Sequence, residues 1–186
     1  RRASFRPHFD TVETCKELWS KLREKKRTAS ERTELMEKLV PLIKGKIYDI
    51  AVKHDASRVI QSAIQFGNEE QRVMAFAELK EHIVELSKLQ YGHFVVKKLL
   101  RYGNAKVKSQ ILSAFEHNVV RLATHSIGSK VIEHAYQYVK PSQWSQLKQE
   151  FYGKEFVYFK EEGFLTLAKI HAGNAEKGRK TEQHME

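Results

Sequence analysis

Apolar pairs recur along the chain with a fixed step. Val59 and Ile60, followed by Ala63 and Ile64, occupy the i, i+1, i+4 and i+5 positions of a helix with one buried stripe. Val95, Val96, Leu99 and Leu100 repeat the pattern 36 residues later, and Val131, Ile132, Ala135 and Tyr136 repeat it after a second step of 36. The same step aligns Leu39, Ala75 and Ile111, then Ile43, Leu79 and Phe115, which predicts a second helix per unit. Ile47, Ile83 and Val119, with Ile50, Leu86 and Leu122, predict a short helical segment after it. Phe66-Gly67-Asn68 and Tyr102-Gly103-Asn104 separate the helices, where glycine suits a left-handed residue that closes a helix. The third copy has Val139 there and Pro141 two residues on, which stops the helix by another route. No unit of this size covers its own stripe, so the units must stack, and the fold class expected is an all-α helical-repeat solenoid.

Both ends depart from the pattern. Residues 1–53 read as an N-terminal helical cap and the start of the stack, with Leu18, Trp19 and Leu22 on one face of a first helix and a second helix from about Ser30. Residues 54–160 carry the repeats. Residues 161–186 read as a degenerate fourth copy, GFLTLAKIHAGN, and a polar tail. Trp19 and Trp144 are expected in the core or cap, as is Tyr136 from its apolar column.

With the stripe buried, Ser57, Gln61 and Gln65 fall on another face of the first-copy helix, with Arg58 beside them. The later copies place His93, Lys97 and Arg101 beside Phe94, and Ser129, Glu133 and Gln137 beside Lys130. Stacked, these stripes form a ladder of hydrogen-bonding side chains separated by flat or cationic ones. Such a ladder suits single-stranded bases read by edge and by face.

A 36-residue helical repeat carrying SRVIQ, HFVVK and SKVIE resembles the PUF (Pumilio-homology) family. HDASRVIQ followed by FGNEEQR, with ELWSKL and FYGKEF, is similar to its nucleolar Puf-A branch over roughly Thr11 to Ile170. The resemblance implies a right-handed solenoid whose five-residue motif faces RNA, with its first and fifth residues on base edges and its second stacking. By that pattern Ser57 and Gln61 match the adenine pair, with Arg58 in the stacking place. Ser129 and Glu133 match the guanine pair, with Lys130 between them. His93 and Lys97 match no base pair of the family, although Phe94 is a good platform and Lys97 with Arg101 suits phosphate. A broken code implies binding of RNA, and of DNA as well, with little sequence preference. The branch implies the nucleus and nucleolus, ribosomal RNA maturation or mRNA repression with its effect on translation, and ribosomal or pre-ribosomal protein partners. Three units are fewer than the family's specific binders use, which implies one arm of a larger array. A protein-binding helical scaffold in a pre-ribosomal assembly is the alternative, although TPR repeats run to about 34 residues and HEAT and armadillo repeats to about 40–47.

Charge fits a polyanionic partner. The net charge is +10, distributed as +6 over residues 1–53, +3 over 54–126 and +1 over 127–186, so the cap and first two copies are expected to hold most of the affinity. KLREKKR at Lys21–Arg27 fits an import signal and equally a solvated helix surface. Cys15 is the one cysteine, which excludes a disulfide within the chain and a cysteine-based zinc site. The nine histidines show no HExxH or other ligand spacing, and His54 reads as a loop or capping residue. No Gly-rich phosphate loop, paired carboxylates or activated serine is present, so the chain is expected not to be an enzyme and to need no metal or cofactor. No apolar run reaches a membrane span, and a soluble intracellular monomer is expected.

Overall fold

The structure, a computed structural model, describes residues 9–152, and all regular elements among them are helical. The expected fourth copy and tail at 161–186 lie outside the described residues. Two cap helices, α1 (Phe9–Leu22) and α2 (Ala29–Ile43), precede three units of three helices. The units are α3 (Ile47–Ala51), α4 (Ser57–Phe66) and α5 (Glu69–Leu79); α6 (Ile83–Lys88), α7 (Gly92–Tyr102) and α8 (Ala105–Phe115); and α9 (Val119–Ala123), α10 (Gly128–Tyr138) and α11 (Pro141–Lys148).

Local chemistry starts these helices where it does. Thr28 and Glu31 cap α2 reciprocally: Glu31 N donates to Thr28 Oγ1 at 3.3 Å and Thr28 N donates to Glu31 Oε2 at 2.7 Å. Those bonds hold the Glu31 carboxyl below its usual value, the backbone bond contributing most. Asn68 and Gln71 form the same box at α5, and Asn104 accepts from Val107 N at α8. The polar residue of each FGN or YGN is therefore a helix start.

Glycine in those triplets works by a different mechanism from the one expected. Gly67 and Gly103 are extended, at φ −65° and −67°. Their amides donate to the Ala63 and Leu99 carbonyls at 2.9 and 2.8 Å. A Cβ at either position would lie 2.5 Å from that same carbonyl oxygen, so the constraint is close approach and not a left-handed backbone. Val139 sits at φ −118°, makes no such amide bond, and can carry its side chain. Among the described residues the left-handed ones are Gly45 and His117, 72 positions apart. Glu78 accepts from Gly45 N at 2.7 Å and Ile47 N at 3.2 Å, and Glu150 accepts from His117 N at 2.7 Å. Two carboxylates thus fasten the first and third interhelix joints, whereas a 3-10 turn, Lys80–His82, runs α5 into α6 at the middle one.

Stacking follows the apolar columns. Helix α4 packs on α7 and α7 on α10, forming one row, while α1 and α2 pack on α4 at its start. Val59, Val95 and Val131 are buried, as are Ile60, Val96 and Ile132, and Ala63, Leu99 and Ala135. Every member of the four upstream columns from Leu39 to Leu122 is buried too. The column of Ile64 and Leu100 fails at Tyr136, which is 59% exposed. No further helix of the row lies beyond α10 among the described residues. The Tyr136 ring meets Trp144 edge-on at 5.8 Å, with Lys148 Nζ 5.6 Å from its centroid. Trp144 is buried, as expected, and Trp19 is half-buried against the core.

Candidate nucleic-acid interface

The row α4, α7, α10 carries all ten predicted contact residues. Register explains their sorting. A helix that buries positions 3, 4, 7 and 8, counted from the first motif residue, leaves Arg58, Phe94 and Lys130 at position 2 outward, and all three are exposed, Phe94 by 45%. Glu133 and Arg101 are also exposed, and Gln61, Lys97 and Ser129 are half-buried.

Ser57 and His93 differ from the expected open stripe. Both stand where the chain enters its helix from a turn, and both are buried, at 2% and 7%. Ser57 Oγ donates to the His54 carbonyl and accepts from Gln61 Nε2, each at 3.3 Å. Its hydroxyl therefore orients the Gln61 amide. Ser129 Oγ lies 3.5 Å from the Ser126 carbonyl, the counterpart of the Ser57 bond.

His93 Nδ1–H donates to the Leu89 carbonyl at 3.1 Å, and its ring lies 3.8 Å from that of Phe94. Burial pushes its pKa below the ordinary histidine value against the opposing pull of the Leu89 bond, and the charges of Lys97 and Lys130 push the same way as burial. The neutral ring keeps Nε2 as an acceptor. On α10, His134 Nε2–H donates to the Lys97 carbonyl at 3.2 Å. Its pKa is lowered by burial first, then by Lys97 and Arg101, with Glu133 opposing. Lys97 thus acts on both rings, Lys130 on that of His93 and Arg101 on that of His134, with the Phe94 ring beside His93.

Lys98 takes the other side. It bridges helices by donating to Gln65 Oε1 on α4 at 2.7 Å, and Nζ lies 5.3 Å from the Tyr102 ring. Burial lowers its pKa, with Arg101 adding to the effect. Arg101 and Arg72 also flank Tyr102, at 5.3 and 5.9 Å. Arg72 Nε donates to the Ile64 carbonyl at 2.9 Å and so closes the end of α4. The cations of α7 therefore divide between its two neighbours, and Lys98 and His134 join the predicted set. His134 stands four residues after Lys130 on the same helix face, a signal present in the sequence. Lys98 stands beside Lys97 in the sequence as part of one basic cluster, but its direction, towards Gln65, depends on α4.

Chemically, the surface offers exposed cations, one aromatic platform, neutral imidazoles and oriented amides. Among the described residues no ion pair involves Arg58, Lys97, Lys98, Arg101 or Lys130. No group of three potential ligands is placed to hold a metal, and no helix is long and apolar enough to cross a membrane, again among the described residues.

Known proteins share this repeat fold. The PUF profile, described as the Pumilio-family RNA binding repeat, matches residues 46–80, 82–114 and 118–150. Pumilio homolog 3 of Homo sapiens is 39% identical over 171 residues, covering 91% of this chain and 26% of that protein. The crystal structure of human Puf-A superposes with a TM-score of 0.85 at 40% identity, over 91% of this chain and 33% of that one. Human Puf-A in complex with DNA superposes with a TM-score of 0.89 at 38% identity, over 97% and 36%. The chain spans about a quarter of the length of the curated relative and about a third of the crystallised one.

Proposed function

We propose, from the premise that this chain belongs to the PUF family of RNA-binding repeats and not to a family of enzymes, that it holds single-stranded nucleic acid along the row α4, α7, α10. RNA is the principal ligand, and DNA is taken by the same chemistry, a reading supported by the DNA complex of a 38% identical neighbour. The observation that carries the proposal is the convergence of Lys97, Arg101 and Lys130, none in an ion pair among the described residues, beside the exposed ring of Phe94. Unpaired cations neutralise phosphates and release counterions, and an exposed ring stacks any base, so neither group distinguishes sequence. Edge contacts come from Gln61, oriented by Ser57, and from Glu133, with His93 Nε2 as an acceptor between them. Three rungs of this kind fix too few bases for a specific site.

The setting we propose is the nucleolus of the nucleus, in ribosomal RNA maturation or mRNA repression, with the chain acting as a monomer beside ribosomal or pre-ribosomal proteins. Its +10 charge supports an RNA-rich setting. The test is a titration of scrambled single-stranded RNAs at several salt concentrations. Affinity should fall steeply with salt, and sequences should differ by less than about tenfold. A flat salt dependence, or a selected site of four or more bases, would defeat the reading.

A further inference from the structure

Lys98 differs from the other cations of α7 in its surroundings. Its Nζ donates to Gln65 Oε1 on α4 at 2.7 Å and lies 5.3 Å from the Tyr102 ring centroid, with no ion pair among the described residues. The side chain also lines a cleft of about 340 Å³ between the end of α1 and α4, together with Trp19, Arg23, Arg58 and Phe66. No carboxylate is part of that lining. The Arg23 guanidinium lies 4.8 Å from the Trp19 ring and Arg32 Cζ lies 5.0 Å from the Phe66 ring, so each aromatic wall carries a cation. Burial pushes the Lys98 ammonium below the ordinary lysine value, and the Arg101 charge adds to the effect. A lysine desolvated beside another cation gives up its proton more readily, and the neutral amine is a nucleophile. Arg23 and Arg58 are exposed and make no ion pair among the described residues, which gathers anions at the cleft.

We infer that Lys98 is a modification site that takes an acyl group from a phosphorylated thioester of the acyl-coenzyme A class. The donor's phosphates are drawn to Arg23 and Arg58, and its short acyl chain has the Trp19 and Phe66 rings to lie against as the carbonyl carbon meets Nζ. Nζ gives one proton to water and its lone pair attacks that carbon. A C–N bond forms, the C–S bond breaks, and the leaving sulfur takes a second proton from the nitrogen, with nothing oxidised or reduced. The amide that results keeps an N–H for Gln65 but carries no charge, so α7 loses its fixed cation towards α4. Lys97 is the preceding residue of the same helix, yet its charge acts on His93 and His134 and it is not part of the cleft. Lys98 takes the acyl group whether or not a strand lies on the row.

Acetylation of the folded chain by acetyl-coenzyme A, followed at each lysine by mass spectrometry, tests the site. Lys97 is the internal comparison, since it is also half-buried. Lys98 should react at least about tenfold faster than Lys97, the enrichment that a cationic cleft gives an anionic donor. S-acetyl-N-acetylcysteamine, a thioester without phosphates, should narrow that ratio. Arg23→Gln, at an exposed position outside the row, should narrow it with acetyl-coenzyme A as well. Lys98 reacting no faster than Lys97 overturns the site. A ratio that is the same with both donors, and in the Arg23 variant, overturns the phosphorylated donor. A preference for Lys98 that survives unfolding in urea belongs to the local sequence and overturns the role of the cleft. A chain acetylated at Lys98 that binds no RNA keeps the site and loses only the proposed function, whereas RNA binding with an unreactive Lys98 does the reverse.

Discussion

Helix α7 has the same kind of neighbour on each side and is equipped differently towards each. Towards α4 its cation is tethered: Lys98 is fixed to Gln65, and Gln61 is fixed by Ser57. Towards α10 Lys97 makes no ion pair among the described residues and acts on His134 through space, while Arg101 reaches both sides, acting on His134 and lying 5.3 Å from the Tyr102 ring. Tethered groups have already lost their conformational freedom, which favours a shaped site, whereas loose lysines adapt to any path of phosphates. One helix therefore presents a fixed cation on one side and an unpaired one on the other.

The strongest way to break this contrast is to remove what the two sides share. Leu99 is fully buried at the centre of α7, and Leu99→Ala should cost about 2 to 5 kcal/mol in denaturant unfolding and uncouple the first unit from the third. A single melt at the wild-type midpoint would show that the two sides do not depend on a common core.

Helix ends give the next test. Gly103 closes α7 beside Tyr102 on the tethered side, and Gly103→Ala should cost about 1 to 3 kcal/mol because its Cβ meets the Leu99 carbonyl and Val107. Val139→Ala at the end of α10, which brings no new atom to the site, should cost only about 1 kcal/mol, from the partly buried side chain it shortens. Equal losses at the two positions would mean that crowding does not distinguish them.

Binding sharpens the contrast further. Lys97→Ala with Arg101→Ala should weaken RNA of every sequence by about tenfold, about 1.4 kcal/mol, and lower the salt slope by about 1 to 2 units. Ser57→Ala with Gln61→Ala should do much less and leave the slope alone, since edge contacts release few counterions. A selective loss of adenine-containing RNA in the second variant, larger than the uniform loss in the first, would reverse the roles of the two sides.

The smallest effect is one of pH. His93 and His134 have folded-state values below the ordinary histidine value of about 6.5, which the unfolded chain keeps. The unfolded chain therefore takes up protons first as pH falls, and the stability these groups give is complete above about 6.5 and declines below it. Urea midpoints at pH 7.5 and 5.5 should differ in wild type and converge in His93→Gln with His134→Gln. An undiminished difference in that variant would place the titration elsewhere.

Periodicity made the core legible because burial imposes one column per turn, and eight columns of the chain obey it apart from Tyr136. That exception depends on the far-side neighbour of α10, which no column encodes. The contact row was legible in outline for the same reason, since exposed Arg58, Phe94 and Lys130 are the complement of a buried stripe. Ser57 and His93 were not legible as buried, because a polar residue at a helix entrance is covered by the turn before it. Glycine marked the right place for the wrong reason: a sequence does not separate a left-handed residue from a crowded one. That Trp19 and Arg23 share a cleft with Arg58 and Gln61 was not legible, because it depends on how the cap meets α4 and the cap departs from the 36-residue step.

Glu78 and Glu150 give the stack a mechanical character. A joint fastened by a carboxylate on backbone amides adds a distant side chain to its own backbone bonds, Lys46 N to the Ile43 carbonyl in one case and Asn118 N to the Phe115 carbonyl in the other. The middle joint, a continuous run from α5 through its 3-10 turn into α6, yields only if backbone unwinds. The first and third joints are therefore each fixed by a side chain 33 residues further along the chain, whereas the middle joint is closed within one run of backbone.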